Sequence, residues 1–553
     1  MFETEFARTI YEKKYAMELN GRKESWPETA NRVAHCVMDP YMPELAGRVE
    51  KLIAEKKFIP GGRYLYAAGR PFPQTNNCFL FSVNDSRESW GQLMQKITVS
   101  LMTGGGIGVV YSNLRAEECV VKGMGGKSTG PCSLMSMVNE AGRYIMQGGS
   151  RRSAIWAGLH WWHPDVFSFI KMKDWPELVR KGKKEDFNFP ARMDMTNISV
   201  ILDDDFFAAI SDPRWNRCYQ LGRDTFTVSH RWAVQVYDMA VRGMMETGEP
   251  GFSVDIGPNS GENLRNACTE VTSRDDEDCC NLASLSMPRF SSKEEFADAV
   301  SLSTAFLLCG TLYSKLPIPG MHKVREKNRR LGLGLMGMHE WMLQRGIQYG
   351  VNDEMAKWLD AYCTSQSEAY FYADRLGVSR PVATRAVAPT GTISIVAETT
   401  SGIEPIPACA YLRRYLDGKV WKSQFVIDST IRRLVEKYNV DPDLVEDAHR
   451  LAHDVERRIK FQAWVQKKVD HAISSTVNMP PWGSEINNEG KVKEFGQTLM
   501  KFLPELRGFT VYPHGSRDGQ PIVPVPYRTA VNRTGVIFED NSMDTCKSGA
   551  CWS

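Results

Sequence analysis

The sequence has no long apolar run, no excess of charge of either sign and no internal repeat. Its 553 residues carry 68 Lys and Arg against 66 Asp and Glu, a net charge of +2. Nothing in that balance points to nucleic acid or a membrane surface as a partner. The opening MFETEFARTIYEKK places charges where a secretory leader needs an apolar stretch. The most apolar segment, AVSLSTAFLLCGTLY, is too short and too mixed to cross a bilayer, so a cytoplasmic chain is expected. No local cluster of side chains has the spacing of a metal site, and no resident metal is expected. A Walker phosphate loop is excluded as well: Gly126, Lys127 and Ser128 lack the glycine required five positions earlier, where Val121 stands. Thirteen cysteines remain. A reduced cytosol makes a disulfide framework unexpected, so most should be buried bystanders and a few are left for chemistry.

What is present is an alternation. Residues 1–57 contain RTIYEKKYAMEL and PELAGRVEKLIAEKK, apolar at helical spacing, and predict a small N-terminal helical region. From 58 to 527, short β-branched or aromatic runs (CFLFSV, IGVVYS, NISVIL, SIVAE, FTVYP) alternate with helical segments such as SWGQLMQKITVSLM, the pattern of an α/β domain. Residues 528–553 are polar and aperiodic and read as a mobile tail, which ends in MDTCKSGACWS with Cys546 and Cys551.

The stretch LRNACTEVTSRDDEDCCNLASLSMPRF, residues 264–290, sets Asn266, Cys268 and Glu270 at alternate positions. In an extended segment or a finger loop all three would face one side. An amide, a thiol and a carboxylate around one cavity can hold, exchange and abstract protons on a small substrate. In APTGTIS, Thr390, Gly391, Thr392 and Ile393 offer hydroxyls and backbone N–H groups that can surround a phosphate without a lysine.

Asn-x-Cys-x-Glu followed by Cys-Asn-Leu resembles the finger loop of ribonucleotide reductase catalytic subunits. PGGRYLYAAGRPFPQTNNCFLF resembles that family's first barrel strand, and TGGGIGVVYSNLRA and IMQGGSRRSA its two effector-related regions. RRLGLGLMGMHEW, APTGTISIVAETTSGIEP and LRGFTVYPHGSRDGQP resemble later barrel segments, and the terminal Cys-x4-Cys the redox tail. The resemblance implies a ten-stranded α/β barrel with a central finger loop. It makes Cys268 the transient thiyl radical, Glu270 the base for the 3′ hydroxyl, and Asn266 the residue that holds substrate and Glu270. Cys78 and Cys280 match the reducing thiol pair; Cys279 adjoins Cys280, but the Cys-Asn-Leu pattern selects Cys280. Asn77 and Thr390 to Ile393 would face sugar and phosphate. Ala267 departs from the proline of many relatives, which touches only the stiffness of the loop.

The same resemblance implies an allosteric site for a deoxyribonucleoside triphosphate or ATP, with Asp85 at the effector ribose, Arg115 and Lys122 at its triphosphate, and Arg151 in the loop that reports effector identity. No N-terminal extension long enough for a nucleotide-binding cone precedes the barrel, so no dATP shut-off through one is expected. A homodimer is expected, as is a preference for ribonucleoside diphosphates. Two radical sources stay open, adenosylcobalamin or a separate di-metal small subunit. Tyr512 is present on the last barrel strand, but its neighbour is Val511, against the paired tyrosines of a conventional relay. Thioredoxin or glutaredoxin is the expected electron donor, reached by Cys546 and Cys551 on a tether that counts about 60 Å from Tyr527. The alternatives are a glycyl-radical-type barrel enzyme, whose glycine motif is replaced here by the Cys-x4-Cys tail, and a non-catalytic nucleotide sensor, which would not need all five cysteines and Glu270. A zinc-binding tail would need four ligands where two are offered.

Overall fold

Along CFLFS the side chains alternate between two apolar environments, with Cys78 and Leu80 in one buried cluster and Phe79 and Phe81 in another. A strand covered on both faces requires that period of two. The strands are β1 (Phe58–Pro60), β2 (Cys78–Ser82), β3 (Gly106–Val110), β4 (Ile155–His160), β5 (Thr196–Asp203), β6 (Gly251–Asp255), β7 (Asp278–Ser286), β8 (Leu331–Met336), β9 (Thr476–Met479) and β10 (Gly508–Pro513), and the same split between the two clusters recurs in β3, β4, β5 and the start of β7. The structure is a computed structural model and describes residues 2–121, 125–147, 151–186, 189–417, 420–516 and 522–539.

β2 to β6 lie side by side in parallel. β7 and β8 are parallel, as are β9 and β10. The two groups meet antiparallel at β2 against β7 and at β6 against β10. Between β8 and β9 the gap is filled by residues 385–387, through single parallel bridges from Leu333 to Arg385 and from Val387 to Ile473. Ala386 N–H donates to the Leu333 carbonyl at 3.0 Å and Ser474 N–H to the Val387 carbonyl at 2.9 Å. These bridges close the sheet on itself, so the expected ten-stranded α/β barrel is observed as two parallel half-barrels of five members joined by two antiparallel seams. β1 pairs with the later part of β7.

Inward side chains from both halves, among them Leu80, Trp156, Ile201, Leu282 and Ala386, form the interior cluster. Outward ones pack under helices. The N-terminal region supplies α1 (Glu5–Lys14), α2 (Trp26–Met38) and α3 (Pro43–Ala54). Thr4 caps α1, a Ser25/Glu28 capping box opens α2 and Pro43 starts α3. Their apolar faces join the layer outside β7 and β8. Helix Lys293–Tyr313 is, among the described residues, the one long and apolar enough to span a membrane, and it lies in this core.

The start of the expected tail is corrected. Residues 527–531 form a helix whose Ala530 is fully buried with Phe425 and Ile427. Ile537–Glu539 pairs with the hairpin Ala410–Asp417/Val420–Ile427. Backbone pairing and one buried alanine hold this stretch, and neither shows in its polar composition. Cys546 and Cys551 lie outside the described residues.

Candidate active site

The connection between the half-barrels, from β6 to β7, is the finger loop. Leu264–Arg265 pairs antiparallel with Thr272–Ser273, and residues 266–270 make the tip. The tip is a tight turn. Thr269 has φ +66°, and its N–H donates to the Asn266 carbonyl at 3.0 Å. The Asn266 side-chain oxygen accepts from Val271 N–H at 3.0 Å. The three side chains therefore converge because the chain folds back on itself.

The loop enters the barrel where two glycines make room. A Cβ on Gly106 would sit 3.1 Å from the Ala267 methyl, and one on Gly108 would sit 1.8 Å from the Arg265 carbonyl oxygen. In sequence these glycines belong to a stretch read as effector-related. The overlooked signal was alternate glycine in a β-branched run, which marks close backbone approach. The Gly108→Ala variant is expected to fold but to push the finger loop off its seat, lowering kcat/KM by about 100-fold, the scale of a 1 Å misplacement. Steady-state kinetics beside a thermal melt checks this, and activity within twofold of the parent would show that the loop is not seated on β3.

The root of the loop is locked by a buried charge cluster that the sequence did not reveal. Arg330 Nε donates to Asp278 at 2.7 Å and its Nη2 to Glu262 at 2.9 Å, while Arg507 reaches Glu262 at 3.2 Å. Burial alone would raise Glu262, but the two guanidinium groups outweigh it and hold the carboxyl at about 2. Thr272 Oγ1 donates to the same carboxylate at 2.9 Å, and Ala472 N–H donates to the Glu270 carbonyl at 2.8 Å. Such a cluster contributes more to fixing one loop geometry than to net stability.

At the tip, the Asn266 amide donates to Cys78 Sγ at 2.9 Å, and the Cys78 thiol points its hydrogen at Glu270 Oε1 at 3.9 Å. Cys78, Asn266 and Glu270 are buried, whereas Cys268 remains open to solvent although protein surrounds it closely. Burial, reinforced by the nearby Glu270 carboxyl, pushes the Cys268 thiol up. Burial pushes Glu270 up to about 7, against hydrogen bonds that favour its charged form. Its Oε2, like Asn77 Oδ1, is buried with no partner within the protein. Buried acceptors left without a partner are an arrangement that a hydroxylated ligand would complete.

Cys280 stands directly opposite Cys78 in the β2/β7 ladder. Opposed residues in antiparallel strands have Cα atoms about 4.5–5.5 Å apart, within disulfide reach. Cys279 points outward into the helical layer and Cys280 inward.

The segment 385–387 leads into the 390–393 loop, and Ala388 packs in the same interior cluster as Cys78 and Cys280. Thr390 has φ +50° and its Oγ1 accepts from Gly402 N–H at 2.9 Å, while Gly391 is exposed with open space above it. On β10, Phe509 and Val511 pack outward, so Thr510 and Tyr512 lie on the opposite, inner side of the strand. Of the effector residues, Asp85 and Arg115 are brought together, Arg115 Nε lying 2.8 Å from Asp85 Oδ2. Lys122 lies outside the described residues. Arg151 lies in a two-residue strand paired with Met146–Gln147, and its side chain is outside the described set. A broad groove lined by Phe167, Tyr237, Arg242 and Met500 sits outside the barrel and contains none of these residues.

Comparison with known proteins decides the family. Residues 76–365 and 379–501 match the ribonucleotide reductase barrel domain, and residues 1–73 match the ribonucleotide reductase all-alpha domain. The chain belongs to the ribonucleotide reductase family. A vitamin B12-dependent ribonucleoside-diphosphate reductase of Mycobacterium tuberculosis is 26% identical, over 93% of this chain and 80% of its own length. One of the same description from Thermoplasma acidophilum is 27% identical over 86% of this chain and 66% of its own. A protein of Mycobacterium phage D29, provisionally described as an adenosylcobalamin-dependent ribonucleoside-triphosphate reductase, is 22% identical over 98% of both chains.

Proposed function

We propose that this chain is a ribonucleoside-diphosphate reductase catalytic subunit that uses thiyl-radical chemistry. The single observation that carries the reading is the placement of Cys78 opposite Cys280 and in hydrogen-bond contact with Asn266 and Glu270. Cys268, as a thiyl radical, takes the 3′ hydrogen atom of the ribose. Glu270 takes the 3′ hydroxyl proton. The 2′ hydroxyl leaves as water on receiving a proton from the dithiol, Cys78 and Cys280 give two electrons and close as a disulfide, and Cys268 returns the hydrogen atom to C3′. One ribonucleotide and one dithiol thus become one deoxyribonucleotide, one disulfide and one water. Asn77 faces the sugar, and Thr390, Gly391, Thr392 and Ile393 receive the phosphates.

Either radical source supplies the one-electron oxidation of the Cys268 thiol. The openness of Cys268 beside its buried partners fits a donor that meets it from the barrel mouth. The β10 neighbour of Tyr512 packs outward as valine. This and the vitamin B12-dependent relatives favour adenosylcobalamin over a small subunit. Asp85, Arg115, Lys122 and Arg151 form the effector site at a homodimer interface, consistent with exposed Met102, Met137, Tyr144 and Met146 on and beside two neighbouring helices. Thioredoxin or glutaredoxin is the electron donor through Cys546 and Cys551, in a cytoplasmic setting.

The deciding experiment is conversion of cytidine diphosphate with adenosylcobalamin, effector and dithiothreitol. Deoxycytidine diphosphate is expected; absence of product with adenosylcobalamin and with a cognate small subunit alike would refute the reading. The same assay across pH tests the base. Glu270 must be ionised to accept a proton, and burial has raised it, so kcat/KM should fall tenfold per unit below an apparent pKa near 7 and level off above it. Glu270→Gln should remove that limb and cost about 10²–10⁴-fold. A limb in the ordinary carboxylate range, or none, would show that another group is the base.

A further inference from the structure

We propose that Tyr15, from the N-terminal helical region, is a positioning residue for substrate phosphate that acts through the hydroxyl of Thr392. The inference rests on reading residues 390–393 as the phosphate loop and adds to it a residue from outside the barrel.

Tyr15 closes α1, its N–H bonding back to the Tyr11 carbonyl at 2.9 Å, and only 1% of its surface is exposed. Its phenol oxygen lies 2.5 Å from Thr392 Oγ1, across 377 positions of sequence. Proton counting fixes the direction of that bond once phosphate is bound. Phosphate oxygens only accept, so Thr392 must donate its single hydroxyl proton to them, and a threonine hydroxyl has no second proton. Tyr15 must then be the donor to Thr392 Oγ1. A hydroxyl that accepts one hydrogen bond while donating another is polarised towards its acceptor, and its rotor is held in one setting.

The far end of the same short helix, Ile393–Ala397, is gripped by the same N-terminal region. Glu398 follows it in the left-handed conformation, φ +58°, and is 3% exposed. Its carboxylate accepts from Glu3 N–H and Thr4 N–H, each at 2.8 Å, from Thr4 Oγ1 at 3.2 Å and from Lys56 Nζ at 2.7 Å. Arg433 ties the Glu398 carbonyl, at 2.9 Å, to the Glu3 carboxylate, also at 2.9 Å. The two ends of α1 therefore hold the two ends of the segment that carries the loop, Tyr15 at the front and residues 3 and 4 at the rear. A non-glycine residue held at positive φ persists where its surroundings over-determine it, and here those surroundings are the N-terminal region.

The test is equilibrium binding of cytidine diphosphate to the full chain by calorimetry, which needs no radical source, with Tyr15→Phe, Thr392→Val and the double variant. Tyr15→Phe keeps the ring and removes one hydroxyl. Each single change is expected to raise Kd about fivefold to tenfold, the scale of one hydrogen bond to a charged ligand. The double variant should be no weaker than the weaker single one, and the thermal midpoint of Tyr15→Phe should stay within about 2 °C of the parent. If Thr392→Val raises Kd and Tyr15→Phe does not, the role given to Tyr15 is overturned while the phosphate loop stands. If the two effects multiply, Tyr15 does not act through Thr392. If neither change alters Kd, the phosphate-loop reading fails and this inference fails with it.

Discussion

The Cys268→Ser variant is expected to lose turnover by roughly 10⁴-fold or more, the scale seen when one member of a catalytic unit is removed, while binding substrate as the parent does. The reason is local. Cys268 sits at the tip of a turn locked by the Asn266 carbonyl and by the Asn266 bond to Val271, so replacing sulfur by oxygen leaves the loop in place and changes only the atom that carries the radical. The serine O–H holds its hydrogen more tightly than a thiol does, and the step that begins the cycle becomes uphill. Calorimetric Kd for cytidine diphosphate beside a product assay separates the two effects. Retained turnover would move the radical to another residue, and lost binding would mean that Cys268 shapes the cavity.

The second large effect concerns the terminal dithiol. With Cys546→Ser and Cys551→Ser together, thioredoxin-driven synthesis should stop after about one deoxyribonucleotide per active site, because two electrons leave Cys78 and Cys280 in each cycle and no thiol returns them. With dithiothreitol, small enough to enter the barrel, the same variant should keep substantial activity. Sustained cycling with thioredoxin alone would end the relay. Anchoring of Ile537–Glu539 on the hairpin changes the geometry of this step. From Glu539 only seven residues lead to Cys546, a reach of about 23 Å, against the roughly 60 Å that counting from Tyr527 allowed. Either the paired strand lies within that shorter distance of the redox pair, or it leaves the hairpin when the dithiol is used.

Much of this was legible in sequence because the chemistry is local. Asn266, Cys268 and Glu270 lie within five positions, and the strands announce themselves by alternation. What stayed hidden depends on contacts between distant segments. Residues 385–387 complete the barrel through single bridges, too short a pairing for any periodicity to register. Tyr15 meets Thr392 only because α1 packs against the short helix Ile393–Ala397. Gly106 and Gly108 fall in a stretch that resembles an effector-related region, and nothing in that stretch says that another loop will lie against them. The segment 528–539 looked mobile because a strand that pairs through its backbone can carry almost any side chains. Cys279 and Cys280 are equivalent by spacing and become distinct only when the strand has an inside and an outside.

The position of Cys78 and Cys280 on the β2/β7 seam has one more consequence. The seam is held by backbone hydrogen bonds when both thiols are reduced and would be held by a covalent bond as well after each turnover. Tying residues about two hundred positions apart removes roughly 5 kcal/mol of freedom from the unfolded chain. The protein would then leave every cycle in its most unfolding-resistant form and become easier to unfold, and to digest, only when reductant is plentiful. Protease sensitivity of the barrel would in that way report the thiol supply of its surroundings.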